Sequence, residues 1–433
     1  MKKHVLIKLI ILMLAVSSLS ACSSSGQEAS GNTTKDGKVI VDFWTFWGSE
    51  TRRPVIEKII KDFNSSQDRI VVKHTFLPFG DIWTKNLASI AAGNPADVVI
   101  NDINSVAHRA KQQQATDLTQ YIDTHFKDQF YPHLWDTVQY DGKPYAVPFN
   151  TDTRLLFYNK KAFREAGLNP ERPPQTWEEL EEYSKKLDIK EGKSYKQVGF
   201  YPLWGSMGEA SWMAFGDDGK GYFQEDGNVT IHTPEKVKTM EWILSWQERL
   251  GRENVQALKA EFGSESTNPF ISGKVAMWAD VATFYTQIRD YGGDMEIGAA
   301  PIPAKTADSP HYSEGGGFVA EVPKGSSHPK EAMEFIKYLT GKEAQMHWAV
   351  SNFDNAANIE AAEQAAQSLE GRDKEVYTLA NENLENTIMF PVPIHYPDYS
   401  SALKAQIDLI IMGSQTPEEG LKEGEKRVKA MKN

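Results

Sequence analysis

Val39-Ile40-Val41-Asp42-Phe43, Ile70 to Phe76, and Asp97-Val98-Val99-Ile100-Asn101 are three short apolar runs, and the residues between them decide the fold. The first run is bounded by Gly37 and Gly48, and its length suits a buried strand. A helix follows from about Pro54, where proline fits a first turn. Its Val55, Ile56, Ile59, Ile60 and Phe63 recur at helical spacing, with Lys58, Lys61 and Asp62 facing outward. Asp81 is placed to cap a second helix that ends at Gly93. Strand, helix, strand, helix, strand predicts a parallel sheet with crossover helices, an α/β lobe. In such a sheet ligands bind beyond the carboxyl ends of the strands. That rule points to Trp44-Thr45-Phe46-Trp47-Gly48-Ser49-Glu50 after the first strand and to Asn101-Asp102 after the third.

Further along, Tyr145 to Asn150 and Leu155 to Tyr158 are two extended runs joined by Thr151-Asp152-Thr153-Arg154. A second α/β region follows. Its helix from about Trp177 to Leu187 opens with Thr176-x-x-Glu179, a capping box, and Thr416-Pro417-Glu418-Glu419 repeats that signature with proline at the first helical position. The roughly 400 residues after the N-terminal segments exceed one comfortable core, so two domains are expected. The folded part has no internal repeat and no low-complexity block.

The N-terminal segment carries Lys2, Lys3 and Lys8, an apolar run from Leu9 to Val16, and the small-residue stretch Ser17 to Ala21 before Cys22. This order reads as a signal peptide over 1–21, its apolar run too short to span a bilayer. Leu19-Ser20-Ala21-Cys22 resembles the lipobox of bacterial lipoproteins, in which the cysteine is diacylated and becomes the new N-terminus. Cys22 is the one cysteine of the chain, so no intrachain disulfide forms. Residues 22–36, rich in Ser, Gly, Thr and Asn, read as a lipid-anchored flexible tether of about 20 Å root-mean-square reach.

The net charge is −12, and a leader carrying three lysines and no acid makes the mature chain more acidic still. This balance argues against nucleic acid and against a basic membrane-surface patch. Phosphate-loop, zinc-protease, serine-hydrolase and dithiol chemistry lack their motifs, and the ten histidines show no metal-ligand spacing. No catalytic residue, metal or cofactor is expected. A glycosidase built on two carboxylates has no motif to miss, and 59 acids make a chance pair easy to assemble. The 11 tryptophans admit two uses, large core residues or flat platforms for a ligand.

The chain resembles the family of extracellular solute-binding proteins that includes the maltose-binding proteins. An ordered series carries the resemblance across nearly the whole mature sequence. It begins with Phe43-Trp44, Lys61-Asp62-Phe63-Asn64, Ala92 to Val99, and Asp141 to Pro148. Leu156 to Lys160, Thr176 to Leu180, Phe270 to Met277 and Gly315-Gly316-Gly317-Phe318 follow. His328 to Ala332 and Thr416 to Glu419 complete it. The resemblance implies an α/β, two-lobed periplasmic-binding-protein-like fold with three hinge crossings. They are expected near Asn150–Thr153, Pro301–Ser309 and Ser351–Asn355. The N-terminal lobe would then comprise 37–150 plus 304–352, and the C-terminal lobe 153–303 plus 355–433. Pro301, Pro303 and Pro310 agree with a linker there.

The function implied is capture of a carbohydrate, an oligosaccharide, between lobes that close on it, followed by delivery to the permease subunits of an ABC-type importer. The membrane would be reached through the lipid anchor at Cys22. A non-sugar cargo on the same scaffold, or a surface-anchored glycosidase, is the alternative. Sugars present apolar C–H faces and a rim of hydroxyls, so their sites need flat aromatics and planar acceptors. Trp47 and Glu50 are expected to face the ligand, with Trp44 in the core. Asp102 fits a family ligand position or a helix cap; Asp152 fits the ligand or hinge hydrogen bonding. Trp204, Trp212 and Trp278 are candidate stacking platforms, with Asp280 beside Trp278. Gly315 and Gly316 would let backbone approach the ligand, and Tyr396 and Tyr399 fall where the family carries a late stacking aromatic. Trp242, Trp246 and Trp348 are expected in cores.

Overall fold

A computed structural model describes residues 33–224 and 227–432. The expected signal peptide, Cys22 and the expected tether up to residue 32 lie outside the described residues. Strand β1 (Val39–Thr45) runs parallel to β2 (Ile70–Phe76) and to β3 (Val98–Asp102). The helix Arg52–Ser66 crosses between the first two and buries Ile56, Ile59, Ile60 and Phe63, the spacing read from sequence. The helix Asp81–Ala91 crosses between the next pair, but Gly80 holds its cap position and Asp81 is its first residue. There the carboxylate meets the positive end of the helix dipole instead of capping it.

The sheet then continues with antiparallel strands. Strand β4 (Ala146–Thr151) leaves it, and β5 (Arg154–Asn159) opens the second lobe, where it pairs antiparallel with β6 (Met277–Val281) and β7 (Ile297–Pro301). The chain returns through β8 (Ser313–Gly315) to β9 (Gly317–Glu321), which lies antiparallel between β3 and β4. Strand β10 (Asn355–Ala356) closes the edge, giving the order β10-β4-β9-β3-β1-β2. A short strand β11 (Thr387–Met389) pairs with β8 at the junction of the lobes.

Two expected boundaries shift. Residues 302–312 stay with the second lobe: Ala304 bridges to Thr176, the Lys305 amine donates to the Gly216 carbonyl at 2.6 Å, and Tyr312 donates to Asp218 at 2.9 Å. The return therefore lies at Ser313–Gly317 and not at Pro301–Ser309. The prolines mark a sheet edge there: Pro301 ends β7 as it pairs with Leu155, and the Pro303 carbonyl accepts the Trp177 indole N–H. Asn355 and Ala356 still pair with β4, so the third crossing follows Ala356 instead of preceding Asn355.

Each lobe closes its own core. Phe43, Trp47, Phe63, Phe149, Phe335 and Trp348 fill the first. Trp177, Trp212 and Trp246 fill the second, with Trp177 stacked on Trp242 at 4.3 Å between ring centres. A buried ion pair ties β9 to β3 and to the helix that follows it. Glu321 on β9 is fully buried and accepts from the Arg109 guanidinium at 2.7 Å and from the Asn101 amide at 2.9 Å. Burial pushes the Glu321 carboxyl up while Arg109 and Asn101 pull it down. Glu321→Ala strands a guanidinium in the interior, and breaking a buried pair costs about 3–5 kcal/mol. Urea unfolding should show a loss of that size, whereas loss of the exposed Lys404–Asp408 pair in Lys404→Ala should cost under about 1 kcal/mol.

Candidate functional site

The carboxyl ends of β1, β2 and β3, the end of β4 and the start of β9 share one edge of the first sheet, and this edge faces the second lobe across the hinge. Asp102 ends β3 and pairs in register with Phe318 at the start of β9. One Asp102 carboxylate oxygen accepts from the Asn104 N–H at 2.9 Å, capping the short turn that follows. Burial pushes this carboxyl up, Arg109 opposes the rise, and the negative Asp152 adds to it. The two acids therefore feel one another across the cleft floor.

Asp152 belongs to the crossing itself. It accepts from the Gly316 N–H at 2.9 Å and from the Arg154 guanidinium, which also donates to the Glu314 carbonyl at 3.1 Å. Below it, Thr153 binds Ser313 at 2.9 Å and Thr387 at 2.7 Å, so the crossing strands are laced by side-chain hydroxyls. The glycine run serves this lattice. Gly317 has φ +147°, and a Cβ there would meet the Asn150 carbonyl oxygen at 2.3 Å. A Cβ on Gly315 would meet Thr387 at 2.4 Å, and one on Gly316 would lie 3.4 Å from the Asp152 carboxylate. These glycines admit a neighbouring hinge strand.

On the second lobe, Asp280 and Trp278 share one face of β6, and the Trp278 indole donates to Asp280 at 2.7 Å. Burial pushes the Asp280 carboxyl up, while bonds from Trp278, Ser206 and the Val281 N–H pull it down and Arg154 attracts it. Gly205, at φ +87°, lets the 204–206 loop lie against the Ala279 carbonyl beside them. Asp102, Asp152, Arg154 and Asp280 thus form a polar line from one lobe through the hinge to the other.

The aromatic expectations divide. Trp47 is 1 % exposed and packs on Phe149 and Trp348, at 4.8 and 4.3 Å between ring centres. Trp204, Trp212 and Trp278 are buried as well, Trp212 among Trp177, Phe200 and Trp242. Tyr396 is buried and stacked on Phe223. All five are core side chains, not open platforms. Glu50 is exposed in the loop after β1, and Tyr399 is half-buried at the edge of Phe223.

The open aromatic surface lies elsewhere. Phe79, 65 % exposed, sits edge-on to Phe46 at 5.1 Å and to Trp83 at 4.9 Å, and Phe46 meets Phe318 at 4.7 Å. These residues follow the ends of β1 and β2 and open β9, beside Asp102. The signal for Phe79 was the strand-end rule applied to β2, whose carboxyl end leads into Leu77-Pro78-Phe79-Gly80. A second wall runs from Asn104 and Thr137 of the first lobe to Tyr222, Glu314 and Tyr399 of the second, enclosing about 660 Å³. The Val392 N–H donates to the Asn104 carbonyl at 2.8 Å and bridges the lobes there. No group of acids, histidines and cysteines suited to a metal occurs among the described residues.

The sequence model of bacterial extracellular solute-binding proteins matches residues 47–346. The arabinooligosaccharide-binding protein of Bacillus subtilis (strain 168) is 25 % identical over 366 residues, covering 82 % of this chain and 80 % of that protein. The sn-glycerol-3-phosphate-binding periplasmic protein UgpB of Escherichia coli (strain K12) is 28 % identical over 219 residues, covering 48 % of this chain and 47 % of its own length. Among solved structures, CpMnBP1 with mannotriose bound superposes with a TM-score of 0.79 at 25 % identity, covering 90 % of this chain and 100 % of that one.

Burial predicts opposite behaviour for two aromatic truncations. Trp204→Ala removes a core indole and should cost about 3–5 kcal/mol of folding stability. Phe79→Ala removes a ring that is largely in solvent and should stay within about 0.5 kcal/mol of the parent. Chemical denaturation of both variants checks the pair, and equal losses would contradict the placement of Phe79.

Proposed function

Since the chain belongs to the bacterial extracellular solute-binding proteins, we propose that it captures a carbohydrate between its two lobes for an ABC-type importer. The ligand is an oligosaccharide, released unchanged to the permease subunits, and diacylated Cys22 holds the protein at the outer face of the cell membrane. The single observation that carries the reading is the composition of the cleft: half-buried carboxylates Asp102, Asp152 and Asp280 along the hinge, with the exposed Phe79 over half-buried Phe46 and Phe318 beside Asp102. Carboxylates accept hydroxyl hydrogens, and aromatic faces take the C–H surface of a pyranose or furanose ring. The relatives that bind an arabinooligosaccharide and mannotriose support the same class.

A phosphate ester, the cargo in the name of one relative, fits this cleft poorly. The guanidinium of Arg154 is engaged by Asp152 and the Glu314 carbonyl, and that of Arg52 by Asp354 at 3.0 Å. A dianion would meet acids on both lobes, with these two cations already neutralised. Hydrolysis is disfavoured by the same bonds, because Asp152 is spent as a structural acceptor within the hinge.

A thermal-shift screen of oligosaccharides together with sn-glycerol 3-phosphate tests the reading, since a ligand that binds only the folded state raises the melting temperature. At least one neutral oligosaccharide should stabilise the protein and be recovered intact after prolonged incubation. Stabilisation by the phosphate ester alone would overturn it, and shortened sugars at multiple turnovers would replace it with a glycosidase. Phe79→Ala should weaken the best sugar by on the order of 1 kcal/mol, the scale of one aromatic contact. Cys22→Ser should move the protein from the membrane fraction to the soluble fraction without altering affinity; retention in the membrane would remove the anchor from the proposal.

A further inference from the structure

The inter-lobe pocket does not end at the cleft. Its Tyr222, Ala210 and Tyr399 also line a second groove of about 580 Å³ that runs along the second lobe between the 203–210 loop and the helix Tyr399–Ile411. A drug-sized ligand is held in about 300–1,000 Å³. Each groove falls inside that range, and the two joined exceed it.

The junction is chemically equipped. Tyr222 is 7 % exposed, and among the described residues its hydroxyl has no hydrogen-bond partner. A buried hydroxyl left unpaired costs more free energy than most single contacts contribute, so such groups ordinarily find a partner. Tyr399 presents a half-buried ring edge-on to Phe223 at 4.7 Å, beside the same hydroxyl. Past the junction the groove has an apolar floor at Leu403 and Ile407 and a polar rim of Ser400, Glu209 and the Lys404–Asp408 pair. Apolar floor, polar rim and one orphaned hydroxyl are complementary to a chain of sugar rings, each with C–H faces and peripheral hydroxyls.

We propose that this second groove receives the distal units of the oligosaccharide whose proximal units lie in the cleft, so that the natural ligand is a chain longer than a disaccharide. The inference rests on the carbohydrate reading above and specifies ligand length within it. The Tyr222 hydroxyl bonds the unit at the junction, Tyr399 stacks beneath it, and the Ser400 rim borders the units beyond. The contact surface lies wholly within the second lobe, so the distal units add binding area without a counterpart on the first.

Calorimetric titration with manno-, arabino- and malto-oligosaccharides of two to six units, using the full chain, tests the length dependence. In the series that binds, affinity should rise beyond the disaccharide and level off when the groove is filled. Tyr222→Phe, which deletes one hydroxyl and keeps the ring, should weaken the longer chains about three- to tenfold, the range for one hydrogen bond. Ser400→Trp adds bulk at an exposed rim position and should abolish the gain from added units while sparing the disaccharide. An affinity that stays flat from two to six units, or long-chain binding untouched by Ser400→Trp, overturns the inference and leaves the carbohydrate reading standing. Failure of all three series to bind, with sn-glycerol 3-phosphate binding instead, overturns both.

Discussion

The grip of the Asp152 carboxylate on the Gly316 N–H and the Arg154 guanidinium is the contact around which the two lobes are organised. It forms where β4 becomes β5 and where β8 becomes β9, so one side chain joins two of the three crossings. The backbones approach so closely that Gly317 has no room for a Cβ against the Asn150 carbonyl. Hydroxyls of Thr153, Ser313 and Thr387 lace the layer beneath. Asp354 ties the chain to the first lobe just before the third crossing by accepting from Arg52, Asn150 and Trp348 at 2.9–3.0 Å. A junction made of directional polar bonds can rotate about a few residues while each lobe keeps its own apolar core intact, which is the repertoire of hinge closure.

The strand and helix order of the first lobe was legible because local chemistry and tertiary packing agree there. Ile56, Ile59, Ile60 and Phe63 are buried at the spacing that predicted them. Thr416 and Glu419 form the reciprocal cap their spacing implied. At Thr176 only half of the expected box is present. The hydroxyl accepts from the Glu179 N–H, but the Glu179 carboxylate turns to the Gln175 N–H and to Arg172. A competing cation four residues before the cap is a tertiary detail that spacing does not encode.

The burial of the tryptophans expected at the ligand has its reason in strand geometry. The strand-end rule identifies which loop meets the ligand but not which side chains of that loop turn toward it. Along β1 the buried residues are Val41, Phe43 and Thr45, and the alternation continues past the strand end to Trp47. Parity therefore sends Trp47 into the core and Phe46 to the opposite face, where it meets Phe79 and Phe318. Trp212 has a different cause, since its helix is buried from Ser211 to Gly216 on every side and no residue of that run could be a platform. Period and parity were available in the sequence; the enclosure of a whole helix was not.

What remains on the cleft surface is chosen by what the cores leave over. Indoles are the largest side chains, and both lobes spend them on filling volume, as the stacked Trp177 and Trp242 show. Phenylalanine and tyrosine supply the more open rings instead, Phe79 at the ends of the strands and Tyr399 on the second lobe. Phe79 has no polar atom to satisfy, whereas an exposed-face indole here would compete for the few carboxylates that Asp102 and Asp280 provide. Trp278 illustrates that competition, since its N–H already occupies one oxygen of Asp280. The acids stay half-buried, and burial pushes Asp102 and Asp280 up while the hydrogen bonds and cations around them pull each down. On the proposal that the guest is a polyhydroxyl ring, its hydroxyl donors would meet these carboxylates and its apolar face would cover the exposed Phe79.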